Sequence, residues 1–88
     1  MTSVETTKRK VKEMLANRLK LGAAAEKLSD DVPLFGEGGF GLDSIDALEV
    51  VLGLQKDFGV AIDDRELAIR VLRSVSTIAA YIEEQGKG

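Results

Sequence analysis

Between Ser29 and Leu42 the chain reads Ser-Asp-Asp-Val-Pro-Leu-Phe-Gly-Glu-Gly-Gly-Phe-Gly-Leu. Pro33 and four glycines (Gly36, Gly38, Gly39, Gly41) deny this stretch a regular helix or strand. On either side of it, apolar residues recur at helical spacing. The fold is therefore divided into a helix before this connection and a set of helices after it. Leu34, Phe35, Phe40 and Leu42 are apolar, so the connection is expected to pack side chains of its own onto the core. Loops longer than about 12 residues are often functional.

Val4, Val11, Met14, Leu15 and Leu19 predict a first helix over about 3–21, with charged residues filling the gaps. Gly22 is its expected stop. Residues 23–27 either prolong the helix after a break or belong to the connection. A second helix is expected over 44–58. Ala47, Val50, Val51, Leu54 and Phe58 form one buried stripe, and Ile45, Leu48 and Leu52 a second beside it. That apolar face is wider than a lone surface helix needs. Asp43 or Ser44 can cap its start, because a short side-chain oxygen accepts from the backbone N–H groups there. Gly59 can close its end.

Asp63 followed by Glu66 resembles a capping box and starts a short third helix over about 64–71. Ser74 caps a fourth over about 75–85, whose inward stripe is Val75, Ile78, Ala79 and Ile82. Val60 and Ile62 alternate, but a lone strand has nothing to pair with. The expected fold class is all-α: a small four-helix bundle of three longer helices and a short third, with a long first loop. One domain over 1–88 is expected, with 85–88 a frayed tail.

Composition narrows the chemistry. The 88 residues include neither Cys nor His. This excludes disulfides, thiolate zinc sites and a Cys nucleophile, and it removes the usual general base and the commonest metal ligand. Self-contained hydrolytic catalysis is not expected, nor is a metal site. Four aromatics (Phe35, Phe40, Phe58, Tyr81) serve base stacking poorly. Charge is segregated: residues 1–22 sum to +4 and residues 43–66 to −5. The acidic middle points to basic protein partners rather than nucleic acid, and the basic start reads as a solvated helix face. No run reaches the about 18 apolar residues of a membrane span. The charged first 20 residues do not resemble a secretory signal, so a cytoplasmic monomer is expected.

Gly36-Glu-Gly38-Gly-Phe-Gly41 fits the pattern G-x-G-x-x-G, but no strand precedes it and no βαβ unit has room. No Gly-Lys-Ser/Thr follows for a phosphate loop. Asp43, Asp46 and Glu49 lack calcium-loop spacing, and nothing in their surroundings suggests the desolvation that suits a carboxyl to acid–base work.

The informative stretch is Gly41-Leu42-Asp43-Ser44-Ile45-Asp46-Ala47-Leu48-Glu49. Ser44 stands at a helix start, after a glycine-rich loop that leaves room for a large partner. A phosphodiester on its hydroxyl is expected to face backbone N–H groups and the positive helix end. Asp46 and Glu49 give an acidic edge beside it, with Ile45 and Leu52 as apolar neighbours. The plainer reading is that Asp-Ser merely starts a helix.

These residues resemble the acyl carrier proteins of the phosphopantetheine-attachment family. The family's mark is a D-S-L stretch at the start of the second helix of a small acidic bundle. Asp43-Ser44-Ile45 stands for it here. Phe58-Gly59-Val60 and the tail from Ser74 to Ile82 extend the likeness over nearly the whole chain.

The resemblance implies that Ser44 receives a 4′-phosphopantetheine arm from coenzyme A, through a separate phosphopantetheinyl transferase that uses magnesium. The arm would supply the thiol this chain lacks, and acyl groups would ride on it as thioesters between partner enzymes. The chain itself would be a carrier, not an enzyme. Leu48, Val51, Leu54 and Ile62 are the candidates for sheltering the acyl chain, against ordinary core packing. Asp43, Asp46, Glu49 and Asp64, with Ile45 and Leu52, are the candidates for docking acyl-transfer, condensing and tailoring enzymes that bear basic patches, against simple solvation of the acids.

Several positions depart from the family pattern. Ile45 replaces Leu. Gly53 interrupts the second helix on its acidic edge at about 1 kcal/mol relative to Ala, which could let a partner come close. Gln55 and Lys56 stand where acids are expected, and Arg65, Arg70 and Arg73 add positive charge. These point to a carrier dedicated to one pathway rather than to general fatty-acid synthesis. A peptidyl or aminoacyl carrier, and an unmodified helical interaction module with Ser44 as a cap, are the competing readings.

Overall fold

The computed structural model describes residues 3–20, 29–35 and 42–86. Four helices follow in order: α1 (Ser3–Arg18), α2 (Ser44–Phe58), α3 (Arg65–Val71) and α4 (Val75–Glu84). α1 packs against α4 and α2, and α3 against α4. No strand is present among the described residues; Phe35 and Leu42 form an isolated bridge. The all-α bundle with a short third helix is as expected.

The local signals act where the sequence puts them. Asp43 caps α2 and Gly59 closes it in the left-handed conformation (φ 69°), its N–H reaching back to the last turn. Ser74 caps α4: its hydroxyl accepts from the Thr77 N–H at 3.3 Å, and the Thr77 hydroxyl accepts from the Ser74 N–H at 2.9 Å.

Three expectations shift. Regular helix in α1 stops at Arg18, not near residue 21. Leu19 still donates to the Leu15 carbonyl, but Lys20 turns left-handed (φ 55°), which costs a side-chain-bearing residue about 1–2 kcal/mol. Gly22 and residues 23–27 lie outside the described residues, as do Gly36, Gly38, Gly39, Phe40 and Gly41. α3 starts one residue later than expected, so its cap is Asp64, not Asp63. Two adjacent aspartates are equally able caps, and tertiary packing chooses between them. α4 ends at Glu84, with Gln85 as its C-cap.

The core is built from Val11, Met14 and Leu15 of α1, Val50 and Leu54 of α2, Val71 of α3 with Leu72 after it, and Val75, Ile78, Ala79 and Ile82 of α4. Leu34 joins it from the first connection and Val60 from the second. Val60 is thus a core residue following a helix end, not part of a strand. Thr7 is a fully buried residue of the first stripe that hydropathy alone passes over. Its hydroxyl donates to the Glu83 carboxylate at 2.6 Å, joining α1 to α4.

The connection is fastened at its described parts. Leu34 N–H donates to the Arg73 carbonyl at 2.8 Å, and Leu42 N–H to the Leu34 carbonyl at 2.9 Å. Ser76 N–H donates to the Asp30 carbonyl at 2.8 Å. The Asp30 carboxylate meets Lys12 at 2.9 Å and Lys8 at 3.3 Å. The bond from Lys12 above all holds the Asp30 carboxyl below the ordinary carboxylate range, against an opposing effect of partial burial.

Gly53, expected on an exposed edge that a partner approaches, is buried where α1 crosses α2. A Cβ there would lie 2.5 Å from Arg18 Cδ and 2.6 Å from Met14 Sδ. The close approach is made by α1, and glycine is what allows it.

Candidate functional site

Ser44 is the first residue of α2, and it is exposed. Capping falls to its neighbour. One Asp43 carboxylate oxygen accepts from the N–H groups of Ile45 and Asp46, both at 3.1 Å. Asp46 returns a carboxylate oxygen to the Asp43 N–H at 3.0 Å. Two of the N–H groups at the start of α2, where free groups are expected to face a phosphodiester on Ser44, are therefore already taken. The same arrangement releases Ser44 from any part in starting the helix.

Beside Ser44 opens a cavity of about 660 Å³, within the range typical of small-molecule pockets. Its apolar wall is formed by Ala47, Leu48 and Val51 of α2, Ile62 of the second connection, Ala68 of α3, and Leu72. Pro33 and Phe35 contribute from the first connection. Ser44, Asp63, Asp64, Arg65 and Arg73 stand around it as the polar members.

Three of the four expected pocket residues, Leu48, Val51 and Ile62, line this cavity. Leu54 does not. It is fully buried in the core, because its place on the Val50 side of α2 turns it inward. Leu48 departs from the core-packing alternative in the opposite sense, at 71% exposed. Pro33, Phe35, Ala47, Ala68, Ile69 and Leu72 are apolar lining residues that the expected set lacks. The four-residue spacing of Ala68 and Leu72 was the available signal.

Ile45, Leu52 and Ile69 are also exposed, and Ile69 of these lines the cavity. The acids are less uniform than expected. Asp43 and Asp46 serve the α2 cap, and Asp64 serves the α3 cap, accepting from the Glu66 N–H at 3.4 Å. Glu49 meets Arg18 at 3.3 Å, and Asp57 meets the same guanidinium at 3.4 Å. The Asp57 bond, then the Glu49 bond, raises the Arg18 pKa above its ordinary value, against some desolvation.

A family model described as "Phosphopantetheine attachment site" matches residues 9–82. Acyl carrier protein of Thermotoga maritima is 31% identical over 85 residues, covering 97% of this chain and 98% of the relative. Acyl carrier protein of Phytoplasma australiense is 36% identical over 75 residues, covering 85% and 91%. The chain belongs to the acyl carrier protein family. The prosthetic group of these carriers is 4′-phosphopantetheine. An acyl carrier needs one hydroxyl that is exposed, unspent on capping and close to an apolar shelter. Ser44 and the α2–α3 cavity meet those needs, so the residues present fit the group. No described helix is long and apolar enough to cross a membrane.

Proposed function

We propose that Ser44 is the attachment residue, and that the chain holds acyl intermediates as thioesters and delivers them to partner enzymes of fatty-acid or related biosynthesis. The observation that carries this reading is the position of Ser44, exposed at the margin of the 660 Å³ apolar cavity. When bound, the phosphopantetheine group supplies a terminal thiol. Ser44 Oγ would take the phosphopantetheine phosphate from coenzyme A as the pyrophosphate bond breaks and adenosine 3′,5′-bisphosphate leaves, its proton passing to the modifying transferase, since the chain has no His or Cys to take it. Leu48, Val51 and Ile62 exclude water from an acyl chain. Asp43, Asp46 and Asp64 attract basic partner patches, Glu49 does so only against its ion pair with Arg18, and Ile45 and Leu52 meet the partners' apolar centres.

An apolar cavity favours fatty or polyketide-like acyl cargo over aminoacyl cargo. The bases Lys56, Arg65, Arg70 and Arg73 support a dedicated pathway, and the unit that acts is the single domain 1–88, a cytoplasmic monomer.

The test is intact-protein mass after incubation with coenzyme A, magnesium and a broad-specificity phosphopantetheinyl transferase, beside Ser44→Ala. A gain of one phosphopantetheine in the parent alone supports the reading. No gain with several transferases, on folded and initially unmodified protein, replaces it with an unmodified helical interaction module.

A further inference from the structure

Arg18 is the last residue of α1, and its stem lies across the notch at Gly53. The notch is flanked one turn back by Glu49 and one turn on by Asp57, and the guanidinium reaches both. α2 thus carries a line of Glu49, Gly53 and Asp57 at four-residue spacing, with a cation of the same chain laid along it. Glycine leaves room for the stem: a Cβ at position 53 would meet the Arg18 and Met14 side chains. Both acids remain partly exposed, so a cation from outside can reach them and meets the Arg18 guanidinium there.

We propose that Arg18 is a specificity-determining residue of the docking face: a built-in competitor that withholds Glu49 and Asp57 from weakly basic partners. This rests on the proposed reading that α2 docks basic enzymes. Its consequence is that recognition along α2 is shifted toward Asp43, Asp46 and the exposed Ile45 and Leu52, near Ser44. Partners that rely on acids further along the helix are disfavoured. Arg18 acts through the two acids and touches no cargo.

The test uses a hexalysine peptide as a defined cationic probe, titrated at low salt against the parent, Arg18→Met, Arg9→Met, Glu49→Gln/Asp57→Asn and the triple variant. Arg9 is an exposed cation elsewhere on α1, so Arg9→Met makes the same change in net charge. The expected result is affinity about three- to fivefold tighter for Arg18→Met than for Arg9→Met, the scale of a surface ion pair, with the gap closing at high salt. Glu49→Gln/Asp57→Asn costs little in the parent and removes the whole gain in the Arg18→Met background. Equal effects of Arg18→Met and Arg9→Met overturn the proposal. So does a large loss for Glu49→Gln/Asp57→Asn in the parent, which decides the matter even if Arg18→Met fails to fold. The peptide titration needs no attached arm, so failure of modification at Ser44 is a separate result.

Discussion

α4 and α2 both carry apolar stripes at helical spacing, yet they use them differently. In α4 the stripe of Val75, Ile78, Ala79 and Ile82 is buried to the last residue. In α2 the stripe through Val50 and Leu54 is buried, while Ile45 (73% exposed), Leu48 and Leu52 stand in solvent. α4 is a structural helix whose apolar content matches what packing needs. α2 carries more than packing needs, and the surplus adjoins Ser44 and the cavity. Exposed large side chains grouped in this way are the pattern of a surface that another molecule covers, which supports the docking role proposed for it.

The sharpest way to break this contrast is to truncate one residue from each helix. Ile78→Ala is expected to cost about 2–5 kcal/mol, because it removes a fully buried side chain and leaves a cavity. Urea unfolding followed by circular dichroism measures it. Leu34→Ala belongs in the same range, although Leu34 lies in a connection rather than a helix, since it too is fully buried.

The caps come next. Ser74→Ala is expected to cost about 1 kcal/mol, and Asp43→Ala a similar amount. Asp43→Asn sharpens the comparison, since asparagine caps as well as aspartate. It is expected to keep stability while removing a docking charge, so any loss it causes in partner turnover is not an unfolding effect.

Acid titration separates the fastening of the connection from both helices. The Asp30 carboxyl has its native pKa below its unfolded value. Its contribution is complete above the unfolded value and is lost as pH falls through the native one. The stability gap between the parent and Asp30→Asn is therefore expected to be flat down to about pH 5 and to close below about pH 4. A gap that widens in acid contradicts the ion pairs to Lys8 and Lys12.

The smallest stability effect is expected at the exposed stripe. Ile45→Ala and Leu52→Ala should change unfolding free energy by no more than about 0.5 kcal/mol. Partner transfer assays on the modified protein should register both. A stability loss like that of Ile78→Ala would show that the stripe is core after all.

What was legible in the sequence follows the range of the forces involved. The bounds of α2 and the cap of α4 were readable because Asp43, Gly59 and Ser74 act within a few residues of themselves. Ser44 stood out for the same reason. The periodicity of α2 already separates Leu54, in its buried stripe, from Leu48 beside it. Membership of the cavity was not readable, because its wall also takes residues from α3 and both connections. Gly53 was misplaced on an open edge because its neighbour, Arg18, is 35 positions earlier in the chain. Thr7 was passed over because its polarity is satisfied by a residue near the other end of the sequence.

That last contact also bears on how such a unit can be joined to others. Thr7 and Glu83 are 76 positions apart, yet their side chains meet. The start of α1 and the end of α4 therefore lie at one pole of the bundle. A module with this geometry can be spliced into a surface loop of another protein, or have its ends linked and new ones opened elsewhere, with little distortion of the helices.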